Sequence, residues 1–188
     1  YILPGTTEVS PTLRQLYVED QEIRLAGVET PADIIVFYVG DWIRVNKVRQ
    51  IVAADLLTTA QDYANAARIL QHGDKATDYQ KAQELSIKAF ALGEEDMLRH
   101  SGLAEDRYLL AIGKAQKYGT QFFCEPERGW QLYPVDTTVT DEERAQLSIE
   151  PLAEMELKIE KLNQETEGEC LLTQKTMRIV EAIMEGGQ

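Results

Sequence analysis

The sequence predicts a mainly α-helical protein, an antiparallel array of several helices with one small β-hairpin. Apolar residues recur at helical spacing through most of the chain. Short links separate these periodic segments and carry capping residues at their ends. One aromatic, strand-like stretch lies between about residues 121 and 133. Because short links join neighbouring helices, we expect successive helices to pack antiparallel.

The first two helices begin at residues that favour N-caps. Ser10 precedes a proline, and the helical stripe that follows reaches about Arg24. Thr30 also precedes a proline and begins a second helix, whose apolar part covers 34–56. Its opening is β-branched and aromatic, so a short strand is an alternative there. The prediction adopted for this segment is a helix in which Gly40 is a candidate break.

Three further helices are expected in the middle of the chain. The first starts at Thr58 or Thr59 and ends at Gly73, and the second runs from Thr77 to Gly93. The third covers about 94–112 and ends at Gly113.

The segments that follow predict the hairpin and the C-terminal helices. Strand-like residues at 121–123 and 130–133 flank a turn at 125–129. A capping box starts at Thr140, an apolar stripe from Leu152 to Leu162 marks another helix, and a last helix follows Cys170. We expect one domain over 1–188, with C-terminal helices at about 150–185.

Charge and hydropathy exclude several classes of partner. The chain of 188 residues has 32 acidic and 19 basic residues and a net charge of −13. No stretch gathers Lys and Arg into a basic face, which disfavours nucleic acid and anionic membranes as partners. No apolar run approaches the roughly 20 residues of a membrane span, so a soluble acidic protein is expected.

The two cysteines predict a reduced chain. Cys124 and Cys170 lie far apart and show no zinc-ligand spacing, so we expect neither a disulfide nor a structural metal site. Two reduced cysteines favour the cytoplasm. Tyr1 stands where an initiator methionine is expected, which leaves a removed leader or tag open. No cofactor is expected.

Polar residues on the apolar faces of the first and third helices are candidate site residues. Asp20 and Arg24 point inward and can pair at i,i+4, either within a cleft or as a structural ion pair. Gln71 lies on the apolar face of its helix, and His72 and Asp74 follow. A helix C-terminus favours a protonated imidazole, so His72 is a candidate acid, base or anion clamp, or only a cap.

A second group of candidates lies between the fifth helix and the hairpin. Asp106 and Arg107 form either a clamp for a carboxylate or phosphate or a structural network. The polar residues around Gly119 can orient a substrate, or can satisfy backbone groups where the helix gives way to the hairpin. They are Gln116, Tyr118, Thr120 and Gln121.

Three motifs carry a resemblance to a known family. Residues 20–24 read DQxxR, residues 71–74 read QHxD, and residues 106–121 read DRxxxxxGxxQxYGTQ. The pattern resembles an uncharacterised, mainly bacterial domain-of-unknown-function family over a core of about 10–152, with the match itself from about Asp20 to Leu152. In the closing segment, Glu143 replaces an expected arginine and Ser148 stands near an expected glycine. The C-terminal helices lie outside the match and are candidates for packing or for a homodimer contact.

Two hypotheses on function follow. In the first, the chain is a cofactor-independent acid–base enzyme of hydrolase, lyase or cyclase type, acting on a small, anionic molecule. The catalytic candidates are His72, Asp74, Asp106 and Tyr118. The substrate-binding candidates are Asp20, Gln21, Arg24, Gln71, Arg107, Gln116, Thr120 and Gln121. In the second, the chain is a non-catalytic helical binding or interaction module whose polar cluster is structural.

Overall fold

The structure is a computed structural model that describes residues 10–27, 30–167, 170, 180, 182 and 183. Seven α-helices and one two-stranded sheet lie within these residues. The helices are α1 Pro11–Ala26, α2 Pro31–Ala53, α3 Ala60–Leu70, α4 Ala76–Ala91, α5 Met97–Ala111, α6 Asp141–Gln146 and α7 Leu152–Thr166. The strands are β1 Phe122–Glu125 and β2 Gly129–Leu132. The predicted class, mainly α with one small hairpin, is confirmed.

Capping side chains set the helix starts at the predicted threonines. Thr30, Thr59 and Thr140 each form a capping box with the acidic residue three positions later. In α3 that residue is Asp62, which also accepts a hydrogen bond from the backbone N–H of Ser10 at 2.7 Å. One buried carboxylate therefore joins the starts of α1 and α3.

Helix α2 runs unbroken through Gly40. A Cβ atom at Gly40 would lie 3.0 Å from Nη1 of Arg44, so the glycine leaves room for a buried guanidinium one turn later. The strand considered for the opening of this segment is wrong, because the capping box at Thr30 starts a helix that continues through it.

The hydrophobic core forms among the first five helices. Helix α3 packs against α1, α2 and α4, and α4 packs against α5. The small buried residues Ala64, Ala67 and Ala82 allow these helices to approach closely. On α5, a Cβ atom at Gly102 would lie 2.6 Å from Cδ1 of Ile149, so this glycine lets the link between α6 and α7 pack onto the helix.

The hairpin lies between the helical core and α7. Strands β1 and β2 pair antiparallel, with Phe122 opposite Leu132 and Glu125 opposite Gly129. The side chain of Asn163 on α7 accepts a hydrogen bond from the backbone N–H of Trp130 at 2.7 Å and donates one to its carbonyl at 2.9 Å. Helix α7 therefore holds strand β2 in place.

A disulfide joins Cys124 on β1 to Cys170, so the prediction of two reduced cysteines is wrong. The cysteines are 46 residues apart in sequence, but the packing of α7 on the hairpin brings their Cα atoms to 5.7 Å. Sequence spacing carries no sign of this approach.

The last predicted helix, after Cys170, lies largely outside the described residues. Within it, Val180, Ala182 and Ile183 are helical, and Val180 is buried. None of the helices in the described ranges is long and apolar enough to cross a membrane.

Candidate ligand-binding site

A cavity of about 800 Å³ opens between the hairpin and helices α2, α4 and α5. This volume is typical of small-molecule sites. The helices contribute the aromatic residues Phe37, Tyr38 and Tyr79 to its lining. The hairpin region contributes Phe122, Phe123, Trp130 and Tyr133. Arg107 and Gln121 also line the cavity, which is therefore an aromatic chamber with few polar groups.

Arg107 supplies the positive charge of the cavity lining. Its Nε atom is buried and has no hydrogen-bond partner among the described residues, and no described carboxylate forms an ion pair with its guanidinium. Burial lowers the pKa of Arg107, an effect that the nearby hydroxyl of Tyr79 partly opposes. Burying an unpaired cation costs several kcal/mol in general. An anion in the cavity could therefore pair with the guanidinium of Arg107 and offset this cost.

Two tyrosines near Arg107 add hydroxyl groups to the site. Burial raises the pKa of Tyr38 and of Tyr79, so both phenols stay protonated at neutral pH. The hydroxyl of Tyr79 donates a hydrogen bond to the carbonyl of Gly73 at 2.6 Å, which fixes the turn after α3. Tyr38 therefore remains available as a neutral hydrogen-bond donor at the cavity wall.

Four charged side chains from α1 and α2 form a compact network beside the cavity. Arg24 binds both oxygens of Asp41, with its Nη2 atom 3.0 Å from Oδ2, and Arg44 donates to Oδ1 of Asp41 at 2.6 Å. Arg24 also lies 2.9 Å from Asp20, as the i,i+4 spacing predicts, and Gln21 donates to Asp20 at 2.9 Å. Burial raises the pKa of Asp20, although Arg24 opposes the rise. Two carboxylates thus balance two guanidiniums.

His72 lies in the turn after α3, where the charges of three arginines affect its pKa. Burial lowers the pKa of His72 well below its usual value, and Arg24, Arg107 and Arg44 lower it further. The protonated imidazole predicted from the helix C-terminus is therefore wrong, because burial and the guanidiniums outweigh the helix dipole. A neutral imidazole can accept a proton at neutral pH.

Two neighbours of His72 in the QHxD motif have other surroundings. Asp74 is exposed and forms an ion pair with Arg49, which also binds Asp78. The structure does not bring Asp74 to the imidazole of His72. Gln71 is buried at the end of α3.

Asp106 holds the loop between α5 and the hairpin. Its carboxylate is fully buried and accepts hydrogen bonds from the backbone N–H groups of Lys117, Tyr118 and Thr120 at 2.7–3.0 Å. It also accepts one from the hydroxyl of Thr120 at 2.8 Å. Each bond is charge-assisted, so Asp106 has the contacts of a loop anchor.

Gln116 completes this anchor from inside the loop. Its side chain accepts a hydrogen bond from the backbone N–H of Gln121 at 2.8 Å and donates to the carbonyls of Gln121 and Tyr133. The amide of Gln121 donates to the hydroxyl of Thr120 and lines the cavity. Tyr118 is not part of the cavity lining, and its hydroxyl donates to Glu105 at 3.3 Å.

Ten of the twelve sequence-predicted site residues divide into three places, and Asp74 and Gln71 lie outside them. Arg107 and Gln121 line the cavity. The arginine network and His72 lie beside Arg107 and share its electrostatic field. The loop anchor comprises Asp106, Gln116, Tyr118 and Thr120.

Sequence analysis did not single out Asp41, Arg44, Tyr38, Tyr79 or Trp130 as site residues. Asp41 and Arg44 had a usable signal, since two charges at i,i+3 interrupt a strongly apolar helix. The aromatic residues had none, because single aromatics on separate elements are ordinary core residues. Within the described ranges, no group of three His, Cys, Asp or Glu side chains is arranged to hold a metal ion.

The chain matches no protein-family model, and no curated protein or solved structure matches it significantly. The residue roles implied by the family resemblance therefore stay predictions.

Proposed function

We propose that this protein binds a small organic molecule in the aromatic cavity and acts on it as a cofactor-independent acid–base enzyme. The observation that carries the proposal is Arg107, which lines a cavity of about 800 Å³. Its Nε atom is buried, and its guanidinium has no carboxylate partner among the described residues. A buried unpaired charge is costly, so its retention at a cavity favours a ligand that neutralises it. Aromatic walls supply the apolar surface on which most small-molecule sites depend.

His72 is the proposed proton acceptor. Its lowered pKa keeps the imidazole neutral, as a general base requires. Because His72 lies beside the cavity lining, it takes the proton through a bridging water molecule, and the resulting imidazolium returns that proton to the leaving group by the same route. Chemistry of this kind covers hydrolysis, elimination and cyclisation. An anionic substrate group beside Arg107 would also offset the charge that His72 gains.

The second candidate function is a binding module without catalysis. It is favoured by the placement of His72 beside the cavity and not in its lining, and by the loop anchor, whose polar groups bind one another. In this alternative, Arg107 holds a ligand that remains unchanged, and His72 is a structural residue.

The remaining proposals concern location and assembly. We keep a homodimer through the C-terminal helices as a proposal that size measurement in solution would test. The cytoplasmic location expected from two free thiols loses its basis with the disulfide of Cys124 and Cys170, which favours an oxidising compartment.

Metabolite mixtures would test the proposed function. The wild-type protein, His72→Asn and Arg107→Met are incubated with defined pools of small metabolites, and mass spectrometry follows both the retained and the consumed compounds. The enzyme proposal predicts a compound that the wild type binds and consumes, that His72→Asn binds without consuming, and that Arg107→Met does not retain. Retention without consumption by the wild type would support the binding module. Retention by neither the wild type nor His72→Asn would reject a small-molecule function.

A further inference from the structure

The charge around the cavity defines the charge of its ligand. Asp20 and Asp41 cancel Arg24 and Arg44, so the network beside the cavity is neutral in sum. His72 adds no charge while its imidazole is neutral. Arg107 therefore contributes one positive charge that no ion pair compensates among the described residues. The group of Arg49, Asp74 and Asp78 near Tyr79 adds no further positive charge, so a monoanion suits the cavity better than a phosphate dianion.

The donors near Arg107 define the shape of the charged group. A guanidinium presents parallel N–H donors that match the two oxygens of a carboxylate. Tyr38 supplies a protonated hydroxyl to the same cavity, and Gln121 a side-chain amide. One planar donor group with neutral polar neighbours suits a carboxylate better than a tetrahedral phosphate, which usually meets several cations.

The rest of the wall defines the body of the ligand. The rings of Phe123 and Tyr133 lie 4.5 Å apart, and those of Phe122 and Trp130 meet edge to face at 5.7 Å. Both pairs belong to the hairpin side of the cavity. Aromatic groups of this kind pack against flat rings by offset stacking or edge contacts.

From these observations we infer that the cavity binds an aromatic monocarboxylic acid, with the carboxylate on Arg107 and the ring against the hairpin. The inference rests on the proposed function, since it names the class of small molecule that this site takes. It differs from that proposal in excluding neutral, purely aliphatic and doubly charged ligands.

Four related probes test the inference on the unmodified protein. Isothermal titration calorimetry measures the binding of 3-phenylpropionate, its neutral amide, phenyl phosphate and propionate. We expect 3-phenylpropionate to bind, and the amide to bind about 10-fold to 100-fold more weakly, because it lacks the charge-assisted bonds to Arg107. Propionate lacks the ring and phenyl phosphate carries excess charge, so both should also bind more weakly.

A pair of arginine variants ties the preference to one side chain. Arg107→Met removes the unpaired cation from the cavity, whereas Arg128→Met makes the same change at an exposed residue of the hairpin turn outside the lining. We expect Arg107→Met to lose the difference between acid and amide, and Arg128→Met to retain it. Replacing an unpaired buried charge with an apolar side chain should leave the fold intact, which urea unfolding checks.

Several outcomes would overturn the inference. These are equal binding of acid and amide, tighter binding of phenyl phosphate, a preference that survives in Arg107→Met, or no binding of any probe at about 5 mM. The metabolite mixtures remain a separate test. A compound of another class that is retained and consumed there would uphold the proposed function while rejecting the aromatic acid.

Discussion

Replacing Asp106 with Asn should strongly destabilise the protein, because the carboxylate anchors a loop through four hydrogen bonds. Its two oxygens accept from three backbone N–H groups and from the hydroxyl of Thr120, at 2.7–3.0 Å. An asparagine keeps one oxygen and turns the other into an NH2 donor, which faces two donors of the loop. Two charge-assisted bonds of about 1.5–3 kcal/mol each are then lost, or about 3–6 kcal/mol together.

The loss is measurable by urea unfolding followed by circular dichroism at neutral pH. Total stabilities of about 5–15 kcal/mol are typical of single domains, so the variant should remain folded without denaturant but unfold at a much lower urea concentration. Glu105→Gln is the matched control. Glu105 precedes Asp106 on α5, is only half-buried and binds side chains such as Lys117, so its neutralisation should cost about 1 kcal/mol or less.

A loss of less than about 1 kcal/mol for Asp106→Asn would refute the role of Asp106 as an anchor. The carboxylate would then be free for chemistry, as the enzyme hypothesis requires. If Asp106→Asn and Glu105→Gln lose equally large amounts of stability, the effect comes from removing negative charge on α5 and not from losing the loop contacts.

Three further predictions concern stability. Burial lowers the pKa of His100 to about 4. The stability that the neutral imidazole contributes is fully present above pH 6.5 and is lost as the pH falls towards 4. Between about pH 7.5 and pH 5, the free energy of unfolding of the wild type, measured in urea, should fall by about 2 kcal/mol more than that of His100→Gln. Equal losses would contradict the burial of this imidazole. Replacing Cys124 and Cys170 with Ser should cost about 4 kcal/mol, given their separation of 46 residues, and reduction of the wild type should cost the same. Two titratable thiols in the unreduced wild type would contradict the disulfide. Gly73→Ala places a Cβ atom 2.7 Å from Cβ and Cγ of Asp78 and should cost about 1–3 kcal/mol, and an unchanged urea midpoint would show that the turn relaxes freely.

Local signals explain why the fold was predictable from sequence. The starts of α1, α2, α3 and α6 depend on side chains within three residues of the helix, as in the pair Thr59 and Asp62. Helix α4 begins one residue before the predicted Thr77, because Asp78 accepts a hydrogen bond from the N–H of Lys75. Errors in predicted helix starts are small, because the capping rule concerns only residues within one turn of the start.

The site was predictable only in part, because its chemistry depends on contacts between distant elements. Sequence motifs drew attention to His72, but the arginines that lower its pKa come from α1, α2 and α5. They likewise drew attention to Asp106, yet the partners that make it an anchor are backbone groups of a folded loop. The disulfide left no sequence pattern, since it joins two single residues far apart in the chain. The aromatic stretch of the hairpin was visible in the sequence, but its pairing with aromatic residues of α2 and α4 around a cavity was not.

The contact of Asn163 with Trp130 has a consequence for association between chains. An open strand edge exposes backbone donors and acceptors that invite pairing with another molecule and, from there, aggregation. On β2 the amide of Asn163 occupies both backbone groups of Trp130, as a neighbouring strand would. A single side chain thereby blocks the middle of this edge against sheet extension and lets a short two-stranded ribbon persist in water without further strands.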